Sequence, residues 1–170
     1  MTAARRVSRL AAMQTPLKTA RLEILPKTRD DTLAFIHGLP PEMKQAVSPA
    51  YLAMLESSAP VDPWIHGFTV TLDGTAIGAC SFKGPPDAQG MVEIAYAIDP
   101  EYQNRGFATE AAAALARHAL DSGDVRVVRA HTLPEANAST HVLEKCGFQF
   151  FGEVVDPEDG RIWRWELREV

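Results

Sequence analysis

Apolar and polar positions alternate loosely from Leu17 to Pro26, which predicts a first strand. Thr28 or Asp30 then caps a short helix over Asp31 to His37. A second helical stretch, Pro41 to Ser57, carries Met43, Val47, Tyr51, Met54 and Leu55 at helical spacing, with Pro49 set to break or kink it and Pro60 and Pro63 to end it. Ile65 to Phe82 reads as a hairpin around Asp73-Gly74, and Met91 to Ile98 as a further strand after a loop rich in proline and glycine. Phe107, Ala111, Leu115 and Ala119 fall on one line and Ala108, Ala112, Ala116 and Leu120 on its neighbour, so Asn104 to about Ser122 is a helix whose small face allows close approach to a sheet. Val125 to Thr132 is predicted as a strand, Asn137 to Cys146 as a short helix, and Gly147 to Val155 and Arg161 to Leu167 as a strand pair turning at Asp159-Gly160. Alternating strands and helices place the chain in the α/β or α+β class with a mixed sheet.

The 170 residues suit one domain, 17–170, preceded by a flexible N-terminal tail over 1–16, with no internal repeat. With 46% hydrophobic and 23% charged residues the composition is that of an ordinary globular protein, and no apolar run reaches the ~20 residues of a membrane span. The start of the chain holds Arg5, Arg6, Arg9, Lys18 and Arg21 and no acid before Glu23. Arg9 interrupts its apolar stretch, which argues against a secretory signal; a disordered tail, or translation beginning at Met13, explains it better than a transit peptide. Without those five charges, 12 basic residues face 22 acidic ones, so the body is acidic and nucleic acid is not an expected partner. Cys80 and Cys146 make neither a disulfide framework nor a zinc spacing, and a reducing cytoplasm is the expected compartment.

The informative unit is a strand followed by Asp99-Pro-Glu-Tyr-Gln-Asn-Arg-Gly-Phe-Ala108 and then the alanine-rich helix. A helix N-terminus at such a turn offers free backbone N–H groups and the positive end of the dipole to a pyrophosphate. Gly106 and Ala108 let phosphates approach, and Arg105 adds a cation. No Gly-Lys-Ser/Thr follows and no Gly-x-Gly-x-x-Gly precedes, so neither a P-loop nor a dinucleotide fold is indicated.

Gln103-x-x-Gly106-x-Ala108, continued by Thr109-Glu110-Ala111, resembles the acetyl-CoA pyrophosphate loop of the GNAT acetyltransferases. Thr19-Ala-Arg-Leu22 resembles the first-strand opening of the subgroup containing the ribosomal-protein N-terminal acetyltransferases. Pro134-Glu-Ala-Asn-Ala-Ser139 through Val142-Leu-Glu-Lys-Cys-Gly-Phe148 is similar to its second motif, so the resemblance runs from Leu17 to the C-terminus. It implies a mixed, mostly antiparallel sheet of six to seven strands flanked by about four helices. It also implies that backbone near Ala97 and Ile98 pairs with pantetheine and polarises the thioester carbonyl. Gln103, Asn104, Arg105, Gly106, Phe107, Ala108 and Thr109 would cradle the pyrophosphate.

Glu93 is an acid inside an apolar strand, where burial is expected to raise its pKa toward that of a useful base; the other reading is a wet sheet end or an ion pair with an arginine. The resemblance supports the base. Ser139 shares a helical line with Val142, Leu143 and Cys146, and is either bonded back to a helix carbonyl or, as the family comparison implies, a proton donor near the CoA sulfur. Two positions depart from the family: Leu143 stands where many members have a tyrosine acid, and Ala136 where an asparagine is usual. Asn137 either replaces that asparagine toward the cofactor or caps the helix. His37, His66, His118, His131 and His141 show no metal spacing, so no metal is expected; His118 and His141 read as helix-surface residues, and none of the five is read as the base. Trp64, Trp163 and Trp165 read as core or rim, with Trp163 and Trp165 on one strand face where a substrate groove or dimer contact would also suit them; Tyr96 and Tyr102 are second-rank site residues, and Cys146 is a packing residue.

The expected function is transfer of acetyl from acetyl-CoA to a primary amine, of a peptide or protein N-terminus or a small molecule, by direct attack in a ternary complex. The rival is a non-catalytic acyl-CoA-binding module for sensing or assembly. The expected form is a soluble monomer or homodimer without a membrane partner.

Overall fold

The computed structural model describes residues 11–169. Eight strands form one sheet in the order β1-β2-β3-β4-β5-β6-β8-β7. They are β1 (Leu17–Lys18), β2 (Leu22–Pro26), β3 (Phe68–Leu72), β4 (Thr75–Phe82), β5 (Met91–Ile98), β6 (Val127–Thr132), β7 (Gln149–Asp156) and β8 (Gly160–Arg168). Every pairing is antiparallel except β5 with β6. That exception follows from the connection, because α5 (Phe107–Asp121) crosses over between the two strands. The count exceeds the expected six to seven because the two-residue β1 pairs with β2.

Period-two alternation gives the sheet two unlike faces. On one face Ile24, Phe68, Val70, Val92, Ile94, Val128 and Ala130 pack against Phe107, Ala111, Leu115, Ala116 and Ala119 of α5 in a single core. Alanines at the contact leave the helix close to the strands, as the sequence anticipates. α6 (Ala138–Lys145) joins this core through Leu143, which is fully buried. Trp165 is buried in it as well, its Nε1–H donating to Thr132 Oγ1 at 3.1 Å.

The segment between β2 and β3 holds α1 (Arg29–Gly38), α2 (Pro41–Gln45), α3 (Pro49–Glu56) and α4 (Pro63–His66). Thr28 closes a capping box with Asp31 at the start of α1. The stretch predicted as one kinked helix is two, because Ser48 caps a new start and Pro49 takes its first turn, where a missing N–H costs nothing. The hairpin begins later than Ile65 for a similar reason: Asp62 caps the one-turn α4, and the strand starts after Gly67, whose φ of 72° turns the chain. His118 is not a surface residue, since its ring lies edge-on to Phe68 and meets Met13 O at 3.3 Å. Met13, read as tail, has 2% exposure in the core, while residues 1–10 lie outside the described ones. No helix among the described residues is long and apolar enough to cross a membrane.

Candidate functional site

β5 pairs along Ile94 to Ile98 with β4, but only its first three residues, Met91 to Glu93, pair with Val127 to Arg129 of β6. Beyond Glu93 the two parallel strands part. The main-chain bonds Lys83 N–H to Glu93 O and Asp99 N–H to Ile77 O, both to β4, fix the parity of β5. Residues 93, 95, 97 and 99 turn their backbone groups to β4; Ile94, Tyr96 and Ile98 turn theirs into the opening. Ile98 O accepts from Gln103 Nε2 at 2.8 Å. A pocket of about 760 Å³ lies there, lined by the end of β5, the turn before α5, the first turn of α5 and one side of α6.

The turn is shaped for approach to its main chain. Asn104 and Gly106 are left-handed, with φ of 59° and 81°, conformations that asparagine and glycine tolerate best. Glu110 N–H bonds to Gly106 O at 3.1 Å and begins the helical pattern, leaving the N–H groups from Asn104 to Thr109 without an acceptor among the described residues. Six donors at the positive end of a 15-residue helix are a site for an anion.

Behind this turn stands a brace that the sequence does not announce. Arg21 donates from Nη1 to Arg105 O at 2.9 Å and from Nε to Glu110 Oε2 at 2.8 Å, while its guanidinium covers the Phe107 ring at 4.5 Å. Glu110 also accepts from Arg21 N–H at 2.8 Å and Thr19 Oγ1 at 2.5 Å. Burial alone would raise the Glu110 pKa; Thr19 and Arg21 outweigh it and hold the carboxyl below its usual range. Thr19, Arg21 and Glu110, noticed in the sequence only as parts of motifs, thus form one support.

On the face away from α5, strand register aligns Ala79 with Ala97, Ser81 with Ala95, Glu93 with Arg129, Arg129 with Glu166, and His131 with Arg164. A strip of small residues meets a polar cluster. Glu93 Oε1 accepts from Lys83 Nζ at 2.7 Å and from His131 Nδ1 at 2.9 Å. Burial pushes the Glu93 pKa up, but the bonds and charges of Lys83 and His131 bring it below the ordinary carboxylate value. The expectation of a raised pKa is therefore corrected: an ion pair forms, with a lysine rather than an arginine. Glu166, 5% exposed, receives Arg129 and Arg168.

Ala97, Ile98, Gln103, Asn104, Gly106, Phe107, Ala108, Thr109 and Ser139 are brought together at the pocket, and Tyr96 and Tyr102 join them. Among the described residues Ser139 Oγ makes no hydrogen bond, and Tyr96 Oη reaches only Ser139 O, at 3.4 Å. Arg105 turns away, donating to Glu101 O at 3.1 Å. Asn137 Oδ1 caps α6 by accepting from Thr140 N–H at 3.1 Å and does not line the pocket. Leu143 faces the core, so the position aligned with the family's tyrosine does not reach this pocket. Lys145 and His141, unremarked as site residues in the sequence, stand on its α6 wall. Among the described residues no group of three or more His, Cys, Asp or Glu could hold a metal ion.

Residues 9–149 match the acetyltransferase (GNAT) domain family. The uncharacterized N-acetyltransferase YjdG of Bacillus subtilis (strain 168) is 35% identical over 72 residues, covering 42% of this chain and 43% of that protein. The match thus spans less than half of that curated relative. A GNAT-family acetyltransferase from Bacillus anthracis shares the fold at a TM-score of 0.65 and 20% identity, over 91% of this chain and 98% of that one. RimL, a ribosomal L7/L12 alpha-N-protein acetyltransferase solved with coenzyme A, does so at 0.69 and 13%, over 91% and 98%. A spermidine N-acetyltransferase SpeG chimera of Vibrio cholerae and hSSAT does so at 0.65 and 20%, over 88% and 96%.

Proposed function

The chain belongs to the acetyltransferase (GNAT) domain family, and from that premise we propose that it transfers acetyl from acetyl-CoA to a primary amine. The observation that carries this reading is the run of N–H groups from Asn104 to Thr109 opening into the pocket beside the length of β5 that is paired to β4 but not to β6. The pyrophosphate sits on those donors, and pantetheine lies along Tyr96 and Ile98, whose main chain faces the opening. A thioester carbonyl held by such an N–H is polarised where negative charge develops.

The acceptor arrives from the opposite face, over Ala95 and Ala97. An amine must shed a proton first, because at neutral pH only about one in a thousand lysine-like amines of pKa near ~10.4 is free, and about one in ten α-amines of pKa near ~8. Glu93, where β5 and β6 part, serves that side of the reaction. The amine nitrogen then bonds to the carbonyl carbon and the C–S bond breaks; Ser139, whose hydroxyl has no partner among the described residues, donates to the leaving thiolate and is reprotonated by the second proton that the nitrogen sheds on becoming an amide. A thiol of pKa near ~8.5 needs only modest help, which is compatible with Leu143 standing on α6 where many family members have a tyrosine. The acceptor is a peptide or protein N-terminus or a small-molecule amine, and the names of two structural neighbours, RimL and SpeG, span that range.

Release of CoA thiol from acetyl-CoA, measured across a panel of peptides with free N-termini, polyamines and aminoglycosides, tests this. Turnover is expected with at least one class. A thermal shift with CoA but no turnover on any amine would replace the enzyme with an acyl-CoA-binding module, and no thermal shift at all would end both.

A further inference from the structure

The contacts around His131 decide where its proton lies. A guanidinium can only donate, and Arg164 Nε approaches His131 Nε2 at 3.3 Å, so Nε2 is the acceptor. The carboxylate of Glu93 can only accept, and it meets His131 Nδ1 at 2.9 Å, so Nδ1 carries the hydrogen. In its neutral form His131 is therefore the Nδ1–H tautomer, with a lone pair on Nε2. That is the arrangement in which a carboxylate orients an imidazole to take a proton at its far nitrogen.

Its place in the sheet gives the arrangement a use. Glu93 is the last residue of β5 paired with β6, and His131 lies two residues beyond its partner Arg129. The Glu93–His131 bond thus bridges the strands just where main-chain pairing stops, on the face lined by Ala95 and Ala97. The side chain is 15% exposed.

We propose that His131 Nε2 is the atom that takes the proton of the acceptor amine, and that Glu93 is a positioning residue holding the imidazole for it. The proposal rests on the acetyl-transfer reading and names the atom that reading leaves open. The ammonium gives one proton to Nε2, producing an imidazolium paired with the Glu93 carboxylate. The freed nitrogen lone pair forms the amide bond as the C–S bond breaks, and the second proton shed by the nitrogen balances the one taken up by the thiolate, leaving the amide and free CoA thiol. The charged groups facing His131 are Glu93 on β5, Arg164 on β8, and Asp156 on β7, which senses both His131 and Lys83 of the β4–β5 loop. The long contact from Arg164 is the one the amine replaces.

The test compares wild type, His131→Gln and Glu93→Gln by kcat/KM against pH, with an amine that the wild type acetylates. His131→Gln is expected to lose about 100-fold at neutral pH, the scale of general-base catalysis, to lose the fall in rate toward acid pH, and to keep the thermal shift with CoA. Glu93→Gln keeps a carbonyl that accepts from Nδ1–H, so it is expected to lose less and to retain the acid limb at a displaced pH. Nitrogen-15 spectra of labelled histidine, assigned with His131→Gln, read the tautomer without turnover, and an Nε2–H form of His131 in the wild type would overturn the proposal even if the variant misfolds. Wild-type rates and pH profile in His131→Gln would overturn it and leave acetyl transfer standing. No turnover by the wild type on any amine sinks both.

Discussion

The two sides of β5 hold different kinds of chemistry. Into the opening toward β6 it presents main-chain groups of Tyr96 and Ile98, and the adjoining turn adds N–H groups whose positions are set by φ angles and helix geometry. On the face away from α5 it presents Glu93, one member of a relay of side chains running from Lys83 through His131 to Arg164. Main-chain donors cannot change charge and are indifferent to most substitutions, which suits a cosubstrate of fixed chemistry. Side chains can gain and lose protons and can be exchanged, which suits an acceptor that must be deprotonated. If acetyl transfer runs as proposed, the difference implies that cofactor binding is broken through backbone conformation and acceptor chemistry through ionisation.

Gly106→Val attacks the first half of that statement most directly. A β-branched residue at φ 81° is forced into the left-handed region, at a cost of roughly 1–2 kcal/mol, and its Cβ would stand 3.3 Å from Arg21 Nη2. Whether the turn flips or Arg21 shifts, the donors lose their alignment. Titration calorimetry is expected to show CoA binding weakened about tenfold or more, since ~1.4 kcal/mol is a factor of ten. Thr109→Ala keeps its N–H and should bind within about twofold of wild type. Equal losses in the two variants would show that side chains, not backbone, hold the cofactor.

A smaller loss is expected from Arg21→Ala, which removes the brace but leaves the turn's own sequence intact. Arg21 is 46% exposed, so its pair with Glu110 is screened and is worth no more than the ~0.2–1 kcal/mol of surface pairs. CoA affinity should fall up to about fivefold, with little change in kcat at saturating acetyl-CoA. A large fall in kcat with unchanged affinity would place Arg21 on the acceptor side instead.

The same contrast explains what the sequence discloses. Gln103 to Thr109 is contiguous, and the strand before it and the alanine pattern after it fix a turn at a helix N-terminus, so the cradle can be read from one stretch. Lys83, Glu93, His131 and Arg164 belong to four separate stretches of chain, and only sheet register brings them to one place. Glu93 is conspicuous as an acid in an apolar strand, but nothing near it in sequence tells of a lysine and a histidine on its carboxylate, so the direction of its pKa shift is misread. The polar positions of Val127-Val-Arg-Ala-His-Thr132 show that His131 shares a face with Arg129; its pairing with Glu93 needs the parallel β5–β6 contact. At finer scale, sequence does not give strand parity, which turns Ile98 but not Ala97 into the opening. Nor does it separate a capping Asn137 from a ligand-binding one, since both stand at a helix start.

Acidification should weaken the fold on both sides. Glu93, Glu110 and Glu166 all have pKa values lowered in the fold by their cationic and hydrogen-bonding partners against the opposing effect of burial. The unfolded chain binds their protons first, so the stability they supply is full above the ordinary glutamate value and is lost as the pH falls through the lowered folded values. His66 and His118 are also lowered, mainly by burial, so the unfolded chain takes up their protons first and stability starts to decline below the ordinary histidine value. A melting series from pH 8 to 3.5 is expected to fall gently below about 6.5 and steeply below about 4.5. Lys83→Met should reduce the steep part by removing one cause of the lowering at Glu93; an unchanged curve would mean that this ion pair contributes nothing to stability.

The smallest effect on cofactor binding is expected at Asn137. Its side-chain oxygen holds Thr140 N–H, while the Thr140 hydroxyl accepts from Asn137 N–H at 3.0 Å, so both ends of the residue are committed to starting α6. Removing such a cap costs about 1 kcal/mol of stability. Asn137→Ala should therefore lower Tm by several degrees while leaving CoA affinity and the pH dependence of turnover where they are. Ser139, two residues on, still points into the pocket if the helix start holds. A loss of CoA affinity larger than the loss of stability would return Asn137 to the cofactor side, and the division between a main-chain cradle and a side-chain acceptor face would then fail at this residue.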